Sequence, residues 1–384
     1  MYRLIIRRII RGFVALIVFQ TLLFALIQAL PYDYSVLFFG DSVLRNYIKT
    51  TLGLNRPYII QYLDWMTGFF HLNLGKSFMA YPIPVTTILL NKAPRTLLLF
   101  FSGILIAYFL GIWLGKQIAW HHGSKFEIGA TLGGVATYTS FAPWLGFLML
   151  NVFSWHLGWF PFQKLIDPNK WWRVNIPADL ILGFMVISGG LAFGAIALLW
   201  YFTRKLRHTL IRWAERATGC IIIGVTLWVW WAHSGFDYLA VDILSHLVLP
   251  LATVILLSFG ETMLTMRTTM LETMNEEYVT TARAKGLSES VIRNHHVARN
   301  AFFPVLTRLL LNIPFVLVGS LAIEIVFRWD AMGQLIFNAI EYQDIPILMG
   351  ALSFVGVMTL LAHIFLDIFH IFVDPRLRYT GEFS

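Results

Sequence analysis

The sequence has little charge: Asp, Glu, Lys and Arg make up 13% of its 384 residues. Soluble domains carry roughly a quarter, so this chain lacks the polar surface needed to face water on all sides. Hydrophobic residues make up 58% of the chain, and the mean hydropathy is +0.68. The sequence therefore belongs in lipid. Its single cysteine, Cys220, excludes an internal disulfide and a thiolate metal cluster.

Long apolar stretches predict the membrane-spanning helices. A bilayer core about 30 Å thick requires about 20 mostly apolar residues per helix. The predicted fold class is all-α, a polytopic membrane protein with eight transmembrane helices. The first follows four arginines and lacks a clear cleavage site after it, which indicates a retained anchor helix. The eight predicted spans are Gly12–Leu30, Thr96–Gly115, Ile128–Ser154, Ile181–Phe202, Ala217–Ser234, Leu247–Met266, Leu309–Phe327 and Leu348–Phe372.

The positions of Lys and Arg predict the orientation. With the N-terminus inside, the five predicted cytoplasmic segments hold 19 of the 29 Lys and Arg residues. Cytoplasmic loops of membrane proteins carry such an excess, so both termini are predicted to be cytoplasmic. The net charge of +8 is then explained by basic helix ends that contact anionic lipid, and it gives no reason to expect nucleic acid.

Two long segments lie between the predicted spans. The exterior segment 31–95 is predicted to be a small folded lobe with a short amphipathic helix after Pro57. The cytoplasmic loop 267–308 is polar, has helical periodicity and contains no span. It is the most informative part of the sequence.

The cytoplasmic loop predicts a helix, a turn and a second helix. The first helix covers Glu276–Lys285, and Gly286 stands where a residue in the left-handed conformation ends a helix. Ser288 is placed to cap the second helix, which runs to about Ala301 before Pro304 ends it. Shape alone leaves open that these are ordinary surface helices.

The residues of this loop carry a family resemblance. The string 278–288, followed by 299–304, closely resembles the EAA loop of ABC-importer permeases in its peptide-transporter form. The Glu-Ala-Ala of the general motif corresponds here to Thr280-Thr281-Ala282. In that family the loop forms a coupling helix that docks into a groove on the ATPase subunit. The resemblance implies these ATPase-coupling residues: Thr280, Thr281, Ala282, Arg283, Ala284, Lys285, Gly286 and Leu287.

Other motifs similar to the B-type permeases of dipeptide and oligopeptide importers occur in the same order along the chain. Their order is more specific than any one of them. They are the exterior strings 52–58 and 74–77, Ala93-Pro94-Arg95-Thr96-Leu97 at the second helix, Glu324-Ile325-Val326-Phe327 with Met332-Gly333, and the C-terminal 374–379.

The region 178–245 has no counterpart in this resemblance. The family's B-type permease has six helices, so this region is predicted to be an inserted two-helix hairpin. Its basic loop is explained by the positive-inside rule, with a specific lipid or regulatory contact as the alternative. The predicted organisation is an anchor helix 1–30, an exterior lobe 31–95, spans and an exterior loop 96–177, the hairpin 178–245, and a permease core 246–384.

The chain lacks recognisable chemistry of its own. Gly75-Lys76-Ser77 is no phosphate loop, because the motif requires glycine at position 70, where the chain has Phe70. No catalytic context surrounds its Ser or His residues, and adjacent His pairs do not suit one metal. The carboxylates Glu261, Glu324 and Asp367 lie near predicted span ends, which gives little support to an ion-coupled carrier.

Taken with the resemblance, the sequence predicts a non-enzymatic permease subunit of an ATP-driven ABC importer for peptides or similar solutes. The implied location is a prokaryotic cell membrane. The implied partners are a second related permease, two ABC ATPases that bind ATP and Mg, an extracytoplasmic solute-binding protein and membrane lipid. No cofactor or metal is predicted in this chain, and an ion-coupled secondary transporter or channel is the alternative. Dipeptides, oligopeptides, nickel complexes and oligosaccharides all remain open as substrates.

Overall fold

A computed structural model describes residues 2–29, 56–172, 174, 176–203, 209–319 and 321–373. Within these ranges, the side chains of 2–5, 209–211, 310–319 and 366–373 lie outside the description. The described residues also leave out three predicted segments: 31–55 of the exterior lobe, 204–208 of the basic loop and the C-terminal motif 374–379.

The described chain is built from helices, as predicted. Two segments, Leu150–His156 and Ile292–Val297, are π-helical and continue the α-helices before them. The α-helices are α1 Tyr2–Ala29, α2 Tyr58–Phe70, α3 Val85–Trp120, α4 Lys125–Tyr138, α5 Ala142–Met149, α6 Pro168–Trp171, α7 Ala178–Thr203, α8 Thr209–Ser234, α9 Asp237–Met274, α10 Glu277–Ala284, α11 Glu289–Val291, α12 Ala298–Gly319, α13 Leu321–Phe327, α14 Met332–Glu341 and α15 Ile345–Val373.

Among the residues described with their side chains, six helical stretches are long and apolar enough to cross a bilayer. Each overlaps a predicted span, so a polytopic membrane protein is confirmed. They are Ile6–Ala29, Val85–Trp120, Ala178–Thr203, Arg212–Ser234, Asp237–Met274 and Ile345–Phe365.

The segment 128–154 is not the continuous helix that the sequence predicts. Helix α4 ends at Tyr138, and α5 begins at Ala142. Pro143 lies in the first turn of α5, where its missing N–H would have no partner within the helix, so it suits the start of a new helix. The hydroxyls of Thr139 and Ser140 bond carbonyls of the last turn of α4, at 2.8 and 2.6 Å. Apolar length alone did not reveal this interruption.

The prediction that Pro304 ends a helix was wrong. Helix α12 starts at Ala298 and passes through Pro304 to Gly319, so it joins the cytoplasmic loop to the predicted span 309–327. A proline removes one backbone hydrogen bond and disturbs the preceding turn, but membrane helices tolerate prolines where neighbouring groups satisfy the freed carbonyl.

The backbone divides into two compact units, residues 1–147 with 251–384, and residues 148–250. In the first unit, α3 and α9 approach closely at Gly111 and Gly115, where a Cβ would meet the backbone of α9. Four elements of this unit, α3 among them, enclose an apolar core. Its buried residues are Leu23 and Ile27 of α1, Val85, Leu89 and Ala93 of α3, Met332 and Ala339 of α14, and Ile347, Leu348, Met349 and Ala351 of α15.

The second unit contains the paired helices α7 and α8. The guanidinium of Arg216 lies 4.5 Å from the centre of the Trp200 ring, and its Nε donates to Thr203 Oγ1 at 3.0 Å. Asp242 is buried and accepts hydrogen bonds from Lys170 Nζ at 2.8 Å and Trp171 Nε1 at 3.1 Å. These contacts fix the short helix α6 against the start of α9.

Candidate functional site

The turn after α10 has the geometry that its sequence predicts. Gly286 has φ +74°, in the left-handed region. The N–H of Leu287 bonds the carbonyl of Ala282 at 3.3 Å, and the N–H of Gly286 bonds the carbonyl of Arg283 at 2.9 Å. This pair of hydrogen bonds is the Schellman motif, which satisfies carbonyls that a helix end leaves free. The direction of the chain after α10 is therefore fixed by its own backbone.

Helix α10 presents most of the predicted coupling residues on the surface. Val279 and Ala282, one turn apart, are buried and attach the helix to the rest of the chain. Of the eight predicted residues, Ala282 alone is buried. The other seven are exposed: Thr280, Thr281, Arg283, Ala284, Lys285, Gly286 and Leu287.

The loop is held from the opposite side by the π-helical turn before α12. Ile292 and Val297 in this turn are buried, and the turn packs against α10. Asn300 Nδ2 donates to the Tyr278 hydroxyl at 2.7 Å, which joins α12 to the start of α10. The exposed surface of α10 therefore rests on α12, which runs into the predicted span 309–327.

Arg283 on this surface forms only a weak, exposed ion pair. Arg283 Nε lies 3.3 Å from Glu289 Oε1, and about half of each side chain is exposed. Exposed ion pairs contribute at most about 1 kcal/mol. Arg283 is therefore available to a partner at low cost. Ser288 occupies the N-cap position of α11, as predicted, but its side chain makes no capping hydrogen bond.

A carboxylate that sequence reasoning missed joins α4 to α9 on the predicted cytoplasmic side. The N–H of Glu127 bonds Ser124 Oγ at 3.1 Å, and its own carboxylate accepts from Gly123 N at 2.6 Å. His122 Nδ1 lies 3.0 Å from Glu127 Oε1, and Arg267 Nε donates to the same oxygen at 2.7 Å. The Ser-x-x-Glu spacing is the signature of a capping box, so the sequence contained a signal for the cap.

Glu127 gives this junction a pH dependence. Burial favours its protonated form, but hydrogen bonds from His122, Gly123 and Arg267 outweigh burial and lower the pKa of Glu127 to about 2. The folded pKa thus lies below the ordinary value of 4.5. The stabilisation is therefore fully present above about pH 4.5 and is lost as the pH falls towards 2.

We expect Glu127→Gln to lower the free energy of unfolding by about 1–3 kcal/mol near neutral pH, because charged hydrogen bonds are lost. The difference from wild type should shrink as the pH falls from about 4.5 towards 2. Thermal unfolding of the purified protein, followed by tryptophan fluorescence, measures this. Glu215→Gln, at an exposed carboxylate of α8, is the control and should follow the wild-type profile. A pH-independent difference between Glu127→Gln and wild type would contradict the assignment.

At the predicted exterior side, three segments of the family resemblance meet at Glu324. Its side chain is fully buried and accepts from Thr96 Oγ1 at 2.8 Å. The backbone N–H groups of Gly333 and Gln334, in the first turn of α14, also bond it, at 2.5 and 3.2 Å. Glu324 therefore caps α14 and ties it to α3, which supports the structural role predicted for this carboxylate.

Asp330 forms a second tie between the same segments. Its carboxylate pairs with Lys92 and accepts from Arg95 Nη1 at 2.8 Å. Burial acts to raise the pKa of Asp330, but the two cations outweigh burial and lower it. Asp330 is therefore ionised at neutral pH.

Ser77, in the Gly75-Lys76-Ser77 string that partly resembles a phosphate loop, also has a structural role. Its side chain is fully buried, and its hydroxyl donates to Asp344 Oδ2 at 2.5 Å. The other carboxylate oxygen of Asp344 accepts from Ile347 N at 3.3 Å, in the first turn of α15. A carboxylate at this position would repel a phosphate. Asp344 caps α15, and Ser77 bonds the capping carboxylate.

The chain is similar to known transport proteins over nearly its whole length. A family model described as "binding-protein-dependent transport system inner membrane component" matches residues 13–379. A putative peptide permease protein of Brucella suis biovar 1 is 28% identical over 388 residues, covering 99% of this chain and 100% of the relative. The oligopeptide transport system permease protein AppB of Bacillus subtilis is 26% identical over 384 residues, covering 98% and 99%. The di/tripeptide transport system permease protein DppB of Pseudomonas aeruginosa is 28% identical over 362 residues, covering 93% of each.

Proposed function

The chain belongs to the family of binding-protein-dependent transport system inner membrane components, and we propose that it is the B-type permease subunit of an ATP-driven peptide importer. Three relatives are named as peptide, oligopeptide or di/tripeptide permeases, which supports peptides as the substrate class. Substrate crosses by alternating access at the contact with a second, related permease. A solute-binding protein delivers it from the exterior.

The coupling element of this subunit is the surface Thr280–Leu287. The observation that carries this assignment is that seven of these eight residues are exposed on α10 and on the turn that follows it. The Schellman hydrogen bonds and the buried Val279 hold this surface in place. Two ATPase subunits bind ATP and Mg and close around nucleotide, and α10 transmits their motion to α12 and α9. The permease subunit positions this surface and performs no hydrolysis.

Eight crossings, with both termini cytoplasmic, accompany this function. The distribution of Lys and Arg supports this orientation, and the six long apolar helices account for six of the crossings. The interrupted helices α4 and α5, and α12 with α13, supply the other two. Helices α7 and α8 are the inserted hairpin, and an even number of added crossings preserves the orientation of the rest.

Co-purification of the membrane complex tests this function. We expect two ATPase subunits and one second permease for each copy of this chain. The isolated chain should bind no ATP, because it has no phosphate loop. A homodimer that transports its substrate without nucleotide would instead identify an ion-coupled transporter and would refute the proposal.

A further inference from the structure

Helix α9 carries a polar face that runs through the predicted cytoplasmic end of its span. Ser258, Glu261, Thr265, Thr268 and Glu272 follow one another at spacings of three and four residues, so they share one side of the helix. None of the five is buried. The rest of α9 is the most buried of the six long apolar helices, with Met263, Met266 and Met270 almost fully enclosed. The chain therefore leaves this polar face partly open, as it does other surfaces of α9.

The charge of Glu261 makes lipid an unfavourable neighbour for this part of the face. Glu261 lies five residues, or about 8 Å, inside the predicted cytoplasmic end of its span at Met266. Charged side chains at such depths almost always face a water-filled cavity or the interior of a helix bundle. The hydroxyls of Thr265 and Thr268 bond carbonyls of their own helix, at 2.9 and 3.0 Å, and tolerate either environment. Within the predicted span, Glu261 is therefore the residue of this face that requires a polar environment.

A cation from a second helix stands beside Glu261. Arg308 of α12 places Nη1 3.5 Å from Glu261 Oε1. The side chain of Arg308 is 59% exposed and that of Glu261 is 28% exposed, so both groups are accessible to a solute. A carboxylate next to a guanidinium presents one partner for an ammonium group and one for a carboxylate. A peptide with free termini carries both of these groups.

We propose that the polar face of α9 lines the aqueous translocation path, and that Glu261 and Arg308 contact the charged termini of the passing peptide. This inference rests on the proposed function and deepens it, because it assigns the site within this chain that recognises peptide. Glu261 binds the terminal ammonium group. Arg308 binds the terminal carboxylate, for which its planar fork of donors is suited.

Cysteine accessibility tests whether the face is aqueous. The only native cysteine is replaced first, as Cys220→Ser, and Ser258→Cys, Thr265→Cys or Thr268→Cys is introduced singly into the complete complex in nanodiscs. A charged methanethiosulfonate reagent should label these positions at least about tenfold faster than Val225→Cys, an exposed apolar position on α8, and Thr253→Cys, a buried position on α9. Equal rates at all five positions would overturn the proposal, since the face would then contact lipid or protein.

Uptake into proteoliposomes tests the contact with peptide. Wild type should prefer trialanine to N-acetyl-trialanine, and Glu261→Gln should lower trialanine uptake about tenfold and abolish that preference. Wild type should also prefer trialanine to trialanine amide, whose C-terminus is uncharged, and Arg308→Gln should abolish this second preference. Glu215→Gln, at an exposed carboxylate outside this face, is the control and should leave both preferences intact.

The two uptake outcomes separate recognition from structure. If Glu261→Gln lowered the uptake of both peptides equally, the pair would be structural and the recognition role would be refuted. If the wild-type complex took up no trialanine, the proposed function would fail, while the labelling rates would still report whether the face is aqueous.

Discussion

Gly286→Val is expected to weaken the association of the permease with its ATPase subunits about tenfold, while the protein still inserts normally into the membrane. Gly286 adopts φ +74°, where a β-branched residue is strained by about 1–3 kcal/mol. Relief of this strain breaks the two hydrogen bonds of the Schellman turn and reorients the exposed end of α10. A change of about 1.4 kcal/mol corresponds to a factor of ten in affinity.

The strain can be separated from steric effects. A Cβ at Gly286 would meet no atom within 4 Å, so the added side chain has room and the backbone conformation alone matters. Gly286→Asn is the matched control, because asparagine enters the left-handed region readily. Co-purification of the ATPases and transport in vesicles should be near normal for Gly286→Asn and impaired for Gly286→Val. Full association and transport by Gly286→Val would show that this turn does not position the coupling surface.

Glu324→Ala is expected to have the largest effect on stability, about 3 kcal/mol or more. Removal of the carboxylate leaves the Gly333 N–H and the Thr96 hydroxyl buried without this acceptor, and each unsatisfied buried group costs about 1–3 kcal/mol. The expected result is a lower yield of folded protein and a lower thermal midpoint in detergent.

Two variants calibrate this effect. Glu324→Gln keeps one acceptor oxygen and should lose clearly less stability than Glu324→Ala. Glu341→Ala, at an exposed carboxylate at the end of the same helix α14, should unfold like wild type. If Glu324→Ala were as stable as Glu341→Ala, the buried network would not hold α14 to α3.

Much of the fold could be predicted because its signals are local. A lipid-spanning helix must be apolar over about 20 residues, and this pattern placed six long helices without reference to any partner. The same reliance on local signals missed the interruption after Tyr138 and the continuation of α12 through Pro304. Whether a helix stops at a proline or a polar pair depends on the groups that take over its carbonyls, which composition does not contain.

In the candidate site, too, some features follow from the local sequence and others from tertiary packing. The sequence by itself determined the turn at Gly286, because a left-handed residue at the end of α10 is set by a few neighbouring residues, and it determined the apolar character that commits the chain to lipid. Only the tertiary structure decided the partners of the charged and polar groups. Glu127 meets Arg267 across 140 residues, Glu324 meets Thr96 across 228, and Glu261 meets Arg308 across 47. Ionic and hydrogen-bonding partners are chosen by which helix faces pack together, and that packing is a property of the whole chain.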